Sequence, residues 1–183
     1  MNPRPDQLSV AERSLLSVLR TEAALERTSS APDTDARCFT GAIELLTYGR
    51  LFTPALWPGN TPPPGELGAC YAESRIHARS APEAIAYVEG WALTSGRLIH
   101  HAWCATADGI IQDPTWHSSA EAYLGIPFLV GAAVDLALDY DTPLLNHTGP
   151  DSPLTQWRRE GIPEHILMPA GRVLPDHASS AWT

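Results

Sequence analysis

The chain has 183 residues, a formal net charge of −9 and three cysteines. This length is typical of one domain, residues 1–183, with a single hydrophobic core. The acidic charge disfavours nucleic acid as a partner, because phosphate would be repelled. Three cysteines cannot form a complete disulfide framework, the segment MNPRPDQLSV has no apolar run of signal-peptide type, and no stretch approaches the roughly 18 apolar residues of a membrane span. We therefore expect a cytoplasmic protein with free thiols, no membrane partner, and neutral or cationic substrates.

The N-terminal part, about residues 6–58, is predicted to be helical. Ser9 followed by Glu12 has the pattern of a capping box, which predicts an amphipathic helix through about Glu26. A second helix is predicted near Phe39 to Tyr48. Both helices are expected to pack against a sheet formed by the middle of the chain.

Cys70 lies between a stretch rich in glycine and proline, PGNTPPPGELGA, and a predicted helix from Tyr71 to Arg79. The first stretch cannot form regular structure, so Cys70 is placed at or near a helix N-terminus. Free backbone N–H groups and the helix dipole stabilise a thiolate at such a position. The amide of Cys70 or Tyr71 can also hold the oxyanion of a tetrahedral intermediate.

Three strands are predicted after this helix. Ala84 to Thr94 and Arg97 to Thr106 are rich in Ile, Val, Tyr, Trp and Leu and are separated by Ser95-Gly96, a pair typical of a tight hairpin turn. A short third strand runs from Ile110 to Asp113 and ends before a proline. The three strands form an antiparallel meander.

The loop of the second hairpin decides which histidine faces Asp113, because side chains alternate between the two faces of a strand. A two-residue loop puts Asp113 on the face of His100, whereas a three-residue loop, Ala107 to Gly109, puts it on the face of His101. Both loops are chemically allowed. The first hairpin places Gly90 opposite His101, where a glycine leaves room for a sulfur above the imidazole, and this favours His101.

A catalytic core is predicted over about residues 65–128, followed by a C-terminal extension over about residues 129–183. A short helix is predicted from Ser119 to Leu124. The apolar segment from Leu129 to Leu138 fits either a helix or a strand, and one more helix is predicted within Pro153 to Ile162.

Cys70, His101 and Asp113 are the three groups that a thiol acyl-transfer enzyme requires. A thiol is only a few per cent ionised at neutral pH, so an imidazole must accept its proton before the sulfur attacks a carbonyl carbon. A carboxylate on the other ring nitrogen fixes the tautomer and stabilises the imidazolium. We therefore predict Cys70 as nucleophile, His101 as base and Asp113 as the group that orients the base.

The stretch from Gly65 to Trp116 resembles the transglutaminase-like branch of the papain-like cysteine enzymes. In that family the nucleophile opens a helix, the histidine stands in an H-A-W strand after a strand that carries a glycine, and the aspartate precedes Pro-Thr. The matching residues are Cys70, Gly90 in YVEGW, His101 in HHAW and Asp113 in DPTW. The resemblance implies an α+β fold with helices packed on a small antiparallel sheet.

Together, the triad and the resemblance predict a thiol-dependent enzyme that forms an acyl-enzyme from an amide, ester or thioester. A cysteine protease or amidase, acting on a peptide, protein or small-molecule amide, is the favoured hydrolase. The alternatives are an amide-forming acyltransferase with an amine acceptor, and a binding protein that keeps the fold without catalysis. Trp57 is a distant candidate for an oxyanion-stabilising side chain.

Other residues have competing interpretations. Glu89, Gly90, Trp103 and Tyr71 are predicted to bind substrate, although Glu89 also fits a solvated strand edge. Cys38 and Cys104 are expected to be small buried hydrophobic residues.

A metal centre is disfavoured and no cofactor is expected. His100, His101, Asp113 and His117 offer suitable ligand atoms, but the adjacent histidines point to opposite faces of one strand. The motifs C-x-x-C and H-E-x-x-H are both absent from the sequence.

Overall fold

The computed structural model describes residues 7–28, 41–58, 63–137, 142–145 and 152–175. Within these ranges, five α-helices accompany one antiparallel sheet of six strands, which agrees with the predicted α+β class. The helices are α1 (Val10–Thr28), α2 (Ala42–Tyr48), α3 (Cys70–Ala78), α4 (Val130–Leu136) and α5 (Pro153–Glu160). The strands are β1 (Arg50–Phe52), β2 (Ile85–Thr94), β3 (Arg97–Thr106), β4 (Ile111–Gln112), β5 (Ala122–Phe128) and β6 (Arg172–Val173).

The sheet has the order β4-β3-β2-β5-β1-β6. It curls, so that Thr53, just after β1, forms a bridge with Ile110, just before β4. The amide of Thr53 donates to the carbonyl of Gly109 at 2.8 Å, and the amide of Ile111 donates to the carbonyl of Thr53 at 3.2 Å. The short strand β4, which precedes Asp113, is therefore held from both sides.

The two faces of the sheet have separate hydrophobic clusters. One face packs against residues of all five helices, and its sheet residues include Tyr87, Trp91 and Phe128. The other face carries Val88 and Trp103 and is covered by residues of loops. Because side chains alternate along β3, His100 belongs to the helical face and His101 to the opposite one.

Both hairpins have the registers that favour His101. Thr94 pairs with Arg97 around Ser95 and Gly96, whose φ angles of 48° and 71° are typical of a type I′ turn. In the second hairpin the amide of Thr106 donates to the carbonyl of Ile110 at 3.1 Å, and Gly109 has a φ of 77°. The loop therefore has three residues, and the two-residue alternative is wrong.

Local signals also predicted the start of α1. The amide of Glu12 donates to Ser9 Oγ at 3.1 Å and the amide of Ser9 donates to Glu12 Oε2 at 2.6 Å, which confirms the capping box. The predicted helix within Pro153 to Ile162 is present as α5, and Leu129 to Leu138 contains the helix α4. Among the described residues, no helix combines the length and the apolar character needed to cross a membrane.

The prediction of a helix from Ser119 to Leu124 is wrong, because this stretch leads into β5, a central strand between β2 and β1. Every residue of β5 is buried, so the strand shows no alternation of polar and apolar side chains that would reveal it. Strands β1 and β6 were not predicted either. Both join the same sheet as the predicted core.

Candidate active site

Cys70 is the first residue of α3, so the helix begins one residue earlier than predicted. The helix start has no side-chain cap, because Ala69 at the N-cap accepts no hydrogen bond through its side chain. The first amides of an α-helix have no partner inside the helix. Cys70, which is only 9% exposed, therefore lies in the first turn, where the amides have no helical partners.

His101 lies on β3 and contacts Asp113 directly. His101 Nε2 lies 2.6 Å from Asp113 Oδ2, and the two residues are only 2% and 3% exposed. The indole of Trp116 stacks on the imidazole, with 3.9 Å between ring centroids and 15° between ring planes. Asp113 therefore faces His101, and Trp116 limits the orientations that the imidazole can adopt.

A tight turn holds the carboxylate of Asp113. Asp113 Oδ1 accepts hydrogen bonds from the amide and the hydroxyl of Thr115, both at 2.9 Å, and from the amide of Trp116 at 3.1 Å. Burial alone would raise the pKa of Asp113, but the hydrogen bond and charge of His101 and the hydrogen bonds from Thr115 lower it below its ordinary value. Oδ2 remains directed at the imidazole as a charged acceptor.

Cys70 lies beside His101, close enough for its side chain to contribute to the raised pKa of the imidazole. Because Asp113 occupies Nε2, Nδ1 is the ring nitrogen left to accept a proton from the thiol. Burial alone would lower the pKa of His101, but the hydrogen bonds to Asp113 and Cys70 and the charges of those two groups raise it to about 9. At neutral pH the imidazole is therefore held as a cation between two acidic groups.

The start of α3 lies against the part of β3 that carries both histidines. Strand β4 pairs with β3 only at Cys104 and Ala105, so β3 has no outer partner strand at His101 among the described residues. The start of α3 contacts β3 through Tyr71, whose hydroxyl lies 2.6 Å from His100 Nδ1.

Glu89 is fully buried, so its interpretation as a solvated edge residue is wrong. Its Oε1 lies 3.1 Å from Arg75 Nη2 and accepts from the hydroxyl of Tyr87. Its Oε2 accepts from the amides of Leu144 and Leu145 at 2.7 and 3.0 Å. Both oxygens therefore have protein partners, and in this arrangement Glu89 joins α3 and the segment 142–145 to the sheet.

Gly90 pairs with His101 as predicted, but for a different physical reason. A Cβ at Gly90 would lie 2.1 Å from the carbonyl oxygen of Leu124 and 2.4 Å from Cα of Gly125. The glycine thus allows β2 and β5 to approach each other. The expectation that it leaves room for a sulfur above the imidazole stays a prediction.

Trp103 and Tyr71 flank the triad from different sides. Trp103 is fully buried and packs edge-on against Tyr123, with 5.1 Å between ring centroids, and its own centroid lies 6.1 Å from that of His101. Tyr71 is half-buried, and its hydroxyl lies 2.6 Å from His100 Nδ1. The assignment of Glu89, Gly90, Trp103 and Tyr71 to substrate binding stays a prediction.

The other cysteines and Trp57 lie outside this arrangement. Cys104 is fully buried, its sulfur donates to the carbonyl of Ser74 at 3.1 Å, and burial raises the pKa of its thiol well above the ordinary value. This confirms its expected packing role, whereas Cys38 lies outside the described residues. The ring of Trp57 lies 4.9 Å from that of His77, near the end of α3, and its role as an oxyanion donor stays a prediction.

Sequence reasoning missed the parts played by Thr115 and Trp116. The signal was available in the stretch DPTW, since an aspartate often accepts hydrogen bonds from the backbone two and three residues later. Comparisons of the chain with protein-family models, with curated proteins and with solved structures gave no match. Any functional argument therefore depends on the geometry of Cys70, His101 and Asp113.

Proposed function

We propose that the protein is a thiol-dependent acyl-transfer enzyme of the transglutaminase-like type, acting as a peptidase or amidase. The observation that carries this proposal is the buried pair of His101 and Asp113 beside Cys70, the residue that begins α3. A charged carboxylate at Nε2, a cationic imidazole and a thiol at a helix N-terminus are the components of cysteine hydrolases and acyltransferases. The free thiols of Cys70 and Cys104 are also compatible with the reducing cytoplasm that we expect.

The first half of the reaction forms an acyl-enzyme. With its proton held by His101 Nδ1, the sulfur of Cys70 attacks the carbonyl carbon, and the π electrons of the carbonyl move to oxygen. The amides at the start of α3 are the donors that would hold this oxyanion. When the oxyanion collapses, the carbon–nitrogen bond breaks and His101 Nδ1 gives its proton to the departing amine.

The second half releases the acyl group. Neutral His101 accepts a proton from a water molecule, or from an amine, as that nucleophile attacks the thioester carbonyl. The carbon–sulfur bond then breaks, and the thiolate of Cys70 is paired again with the imidazolium. Asp113 stabilises the imidazolium in both halves and keeps Nδ1 directed at the sulfur.

The raised pKa of His101 suits amide cleavage in particular. An amine leaves readily only after protonation, and an imidazolium that stays charged at neutral pH is available as the proton donor. Ester and thioester donors need this proton less. We therefore expect His101 substitutions to harm amide cleavage more than ester cleavage.

The proposal is tested by the alkylation of each cysteine with iodoacetamide as a function of pH, followed by peptide mass spectrometry. Cys70 is expected to react rapidly at about pH 6, and His101→Ala is expected to slow it at least about tenfold, because the imidazolium no longer stabilises the thiolate. Cys104 serves as the internal control, since its buried thiol should stay unreactive while the protein is folded. Slow alkylation of Cys70 in the parent, with no effect of His101→Ala, would leave the proposal without its nucleophile.

An acyl donor then tests turnover. Incubation with p-nitrophenyl acetate should release p-nitrophenol and leave an acetyl group on the peptide that contains Cys70, and Cys70→Ala should abolish both signals. Adding hydroxylamine or a diamine shows which nucleophile resolves the acyl-enzyme. If water releases the acyl group faster than the added amine captures it, the result supports a hydrolase. If most of the acyl group is transferred to the amine, the result supports an amide-forming acyltransferase.

A further inference from the structure

Two consecutive residues of α3 contact two consecutive residues of β3. The side chain of Cys70 lies close enough to His101 to contribute to the raised pKa of the imidazole. The next residue, Tyr71, places its hydroxyl 2.6 Å from Nδ1 of His100, with 5.9 Å between the two ring centroids. Because His100 and His101 leave β3 on opposite faces, the helix start is held from two directions.

The start of α3 follows a loop that backbone hydrogen bonds hold in place. Its N-cap, Ala69, provides no side-chain hydrogen bond. The amide of Ala69 donates to the carbonyl of Glu66 at 3.2 Å, and the amide of Gly65 donates to the carbonyl of Pro114 at 2.8 Å. These bonds position the loop before the helix. The Tyr71 hydroxyl, on the residue after Cys70, instead joins the first turn of α3 to β3 by its hydrogen bond to His100.

The hydrogen bond between Tyr71 and His100 has a defined direction. Burial, with the charges of Glu89 and Cys70, raises the pKa of Tyr71 far above its ordinary value, so the phenol keeps its proton and donates. Burial and the charge of His101 lower the pKa of His100 to about 4, so its imidazole is neutral and Nδ1 accepts. Nε2 of His100 then carries the ring proton and has no hydrogen-bond partner among the described residues.

We propose that Tyr71 and His100 are positioning residues for Cys70, and that their hydrogen bond fixes the start of α3 where the thiol meets the imidazole of His101. The inference rests on the proposed function of the triad. Loss of the hydrogen bond between Tyr71 and His100 leaves the fold intact but lets the first turn of α3 shift by a fraction of an ångström to about 1 Å. Displacements of that size are enough to weaken a nucleophile and base pair.

The test compares Tyr71→Phe in two backgrounds, the parent protein and His101→Ala, using iodoacetamide alkylation of Cys70 at about pH 6. In the parent, removing the hydroxyl is expected to slow alkylation about fivefold, the scale of one net hydrogen bond. In His101→Ala, the same substitution is expected to change the rate less than about twofold, because the contact that it positions is already gone. A purely structural hydroxyl would change both rates equally.

Three further variants separate positioning from stability. Tyr87→Phe removes another buried tyrosine hydroxyl, one that donates to Glu89, and is expected to lower the melting temperature with an equal effect on alkylation in both backgrounds. His100→Gln keeps an acceptor for Tyr71 and should retain most of the rate, whereas His100→Leu should be as slow as Tyr71→Phe.

The outcomes distinguish this inference from the proposed function. Equal slowing by Tyr71→Phe in both backgrounds, or no slowing in the parent, overturns the positioning role while the triad stands. If His101→Ala itself has no effect on Cys70, the proposed function fails and the positioning role falls with it. Slowing confined to the parent, restored by His100→Gln relative to His100→Leu, is the result that we expect.

Discussion

Substituting Asp113 by asparagine removes the charge that faces His101 while conserving the shape of the side chain. The asparagine oxygen can still accept from Thr115 and from the amide of Trp116, as Oδ1 does now. Its NH₂ group would face Nε2 of His101 in place of a carboxylate oxygen. Raising the pKa of His101 from 6.5 to about 9 corresponds to about 3 kcal/mol, and Asp113 supplies a hydrogen bond and a charge toward it.

The sign of the effect follows from proton linkage. A histidine whose pKa is higher in the folded state than in the unfolded state stabilises the fold fully below its unfolded pKa, and loses this contribution as the pH rises through the folded value. We therefore expect the free energy of unfolding of the parent to exceed that of Asp113→Asn by about 3 kcal/mol near pH 6. The difference should shrink to about 1 kcal/mol or less near pH 10, where His101 is neutral in both proteins.

Urea unfolding followed by tryptophan fluorescence, at several pH values from about 6 to 10, measures this difference. Thr115→Val is the matched control, because it removes a hydrogen bond to Asp113 Oδ1 without changing the charge that faces His101. Its cost, about 1 kcal/mol, should not depend on pH over this range. A parent-to-Asp113→Asn difference that is equally independent of pH would refute the raised pKa of His101 and, with it, the imidazolium in the proposed mechanism.

Three further predictions concern stability, each measured by urea unfolding. Gly90→Ala should cost at least about 3 kcal/mol of stability, because the added Cβ would overlap the backbone of β5. Gly131→Ala is the control: its Cβ meets nothing within 4 Å, so it should be neutral or stabilising by about 0.5 kcal/mol. Equal effects of the two substitutions would contradict the close approach of β2 and β5. Glu89→Gln should cost about 3–5 kcal/mol because it removes the carboxylate charge that faces the buried guanidinium of Arg75. A loss below about 1 kcal/mol would mean that the pair contributes little. Because the pKa of His100 is lowered to about 4, only the unfolded chain binds this proton between about pH 6.5 and 4, and the parent should lose stability as the pH falls through that range. His100→Gln should flatten this dependence of the unfolding free energy on pH. An unchanged dependence would assign the acid sensitivity to other groups.

Much of the local structure could be predicted because its signals lie close together in the chain. Ser9 and Glu12 are three residues apart and satisfy each other's backbone amides, so the start of α1 needs no tertiary information. Ser95-Gly96 likewise specifies its own turn, and with it the pairing of Gly90 with His101. Strand β5 was missed for the opposite reason, because burial on both faces removes the alternation by which a strand is recognised.

The candidate site shows the same difference between what local sequence signals predict and what the tertiary structure decides. The order of Cys70, His101 and Asp113 and the turn residues between them were sufficient to predict three side chains in one place. The sequence left open which histidine faces Asp113, since the hairpin loop has two chemically allowed lengths. The observed loop is the three-residue one, and a residue distant in sequence contacts it: Thr53 bonds to Gly109, the last residue of the loop, and to Ile111 just after it.

The sequence by itself determined the residue types, their order and the local turns and caps, because these depend on backbone preferences and on hydrogen bonds between near neighbours. Only the tertiary structure decided the charge states and partners of buried groups. The sequence left Glu89 between a solvated strand edge and a substrate-binding role. In the structure it is buried and bonds to Arg75 and to the amides of Leu144 and Leu145. The opposite shifts in the pKa values of His100 and His101 have the same origin, since two identical side chains on adjacent residues differ only in what the folded chain packs against each of them.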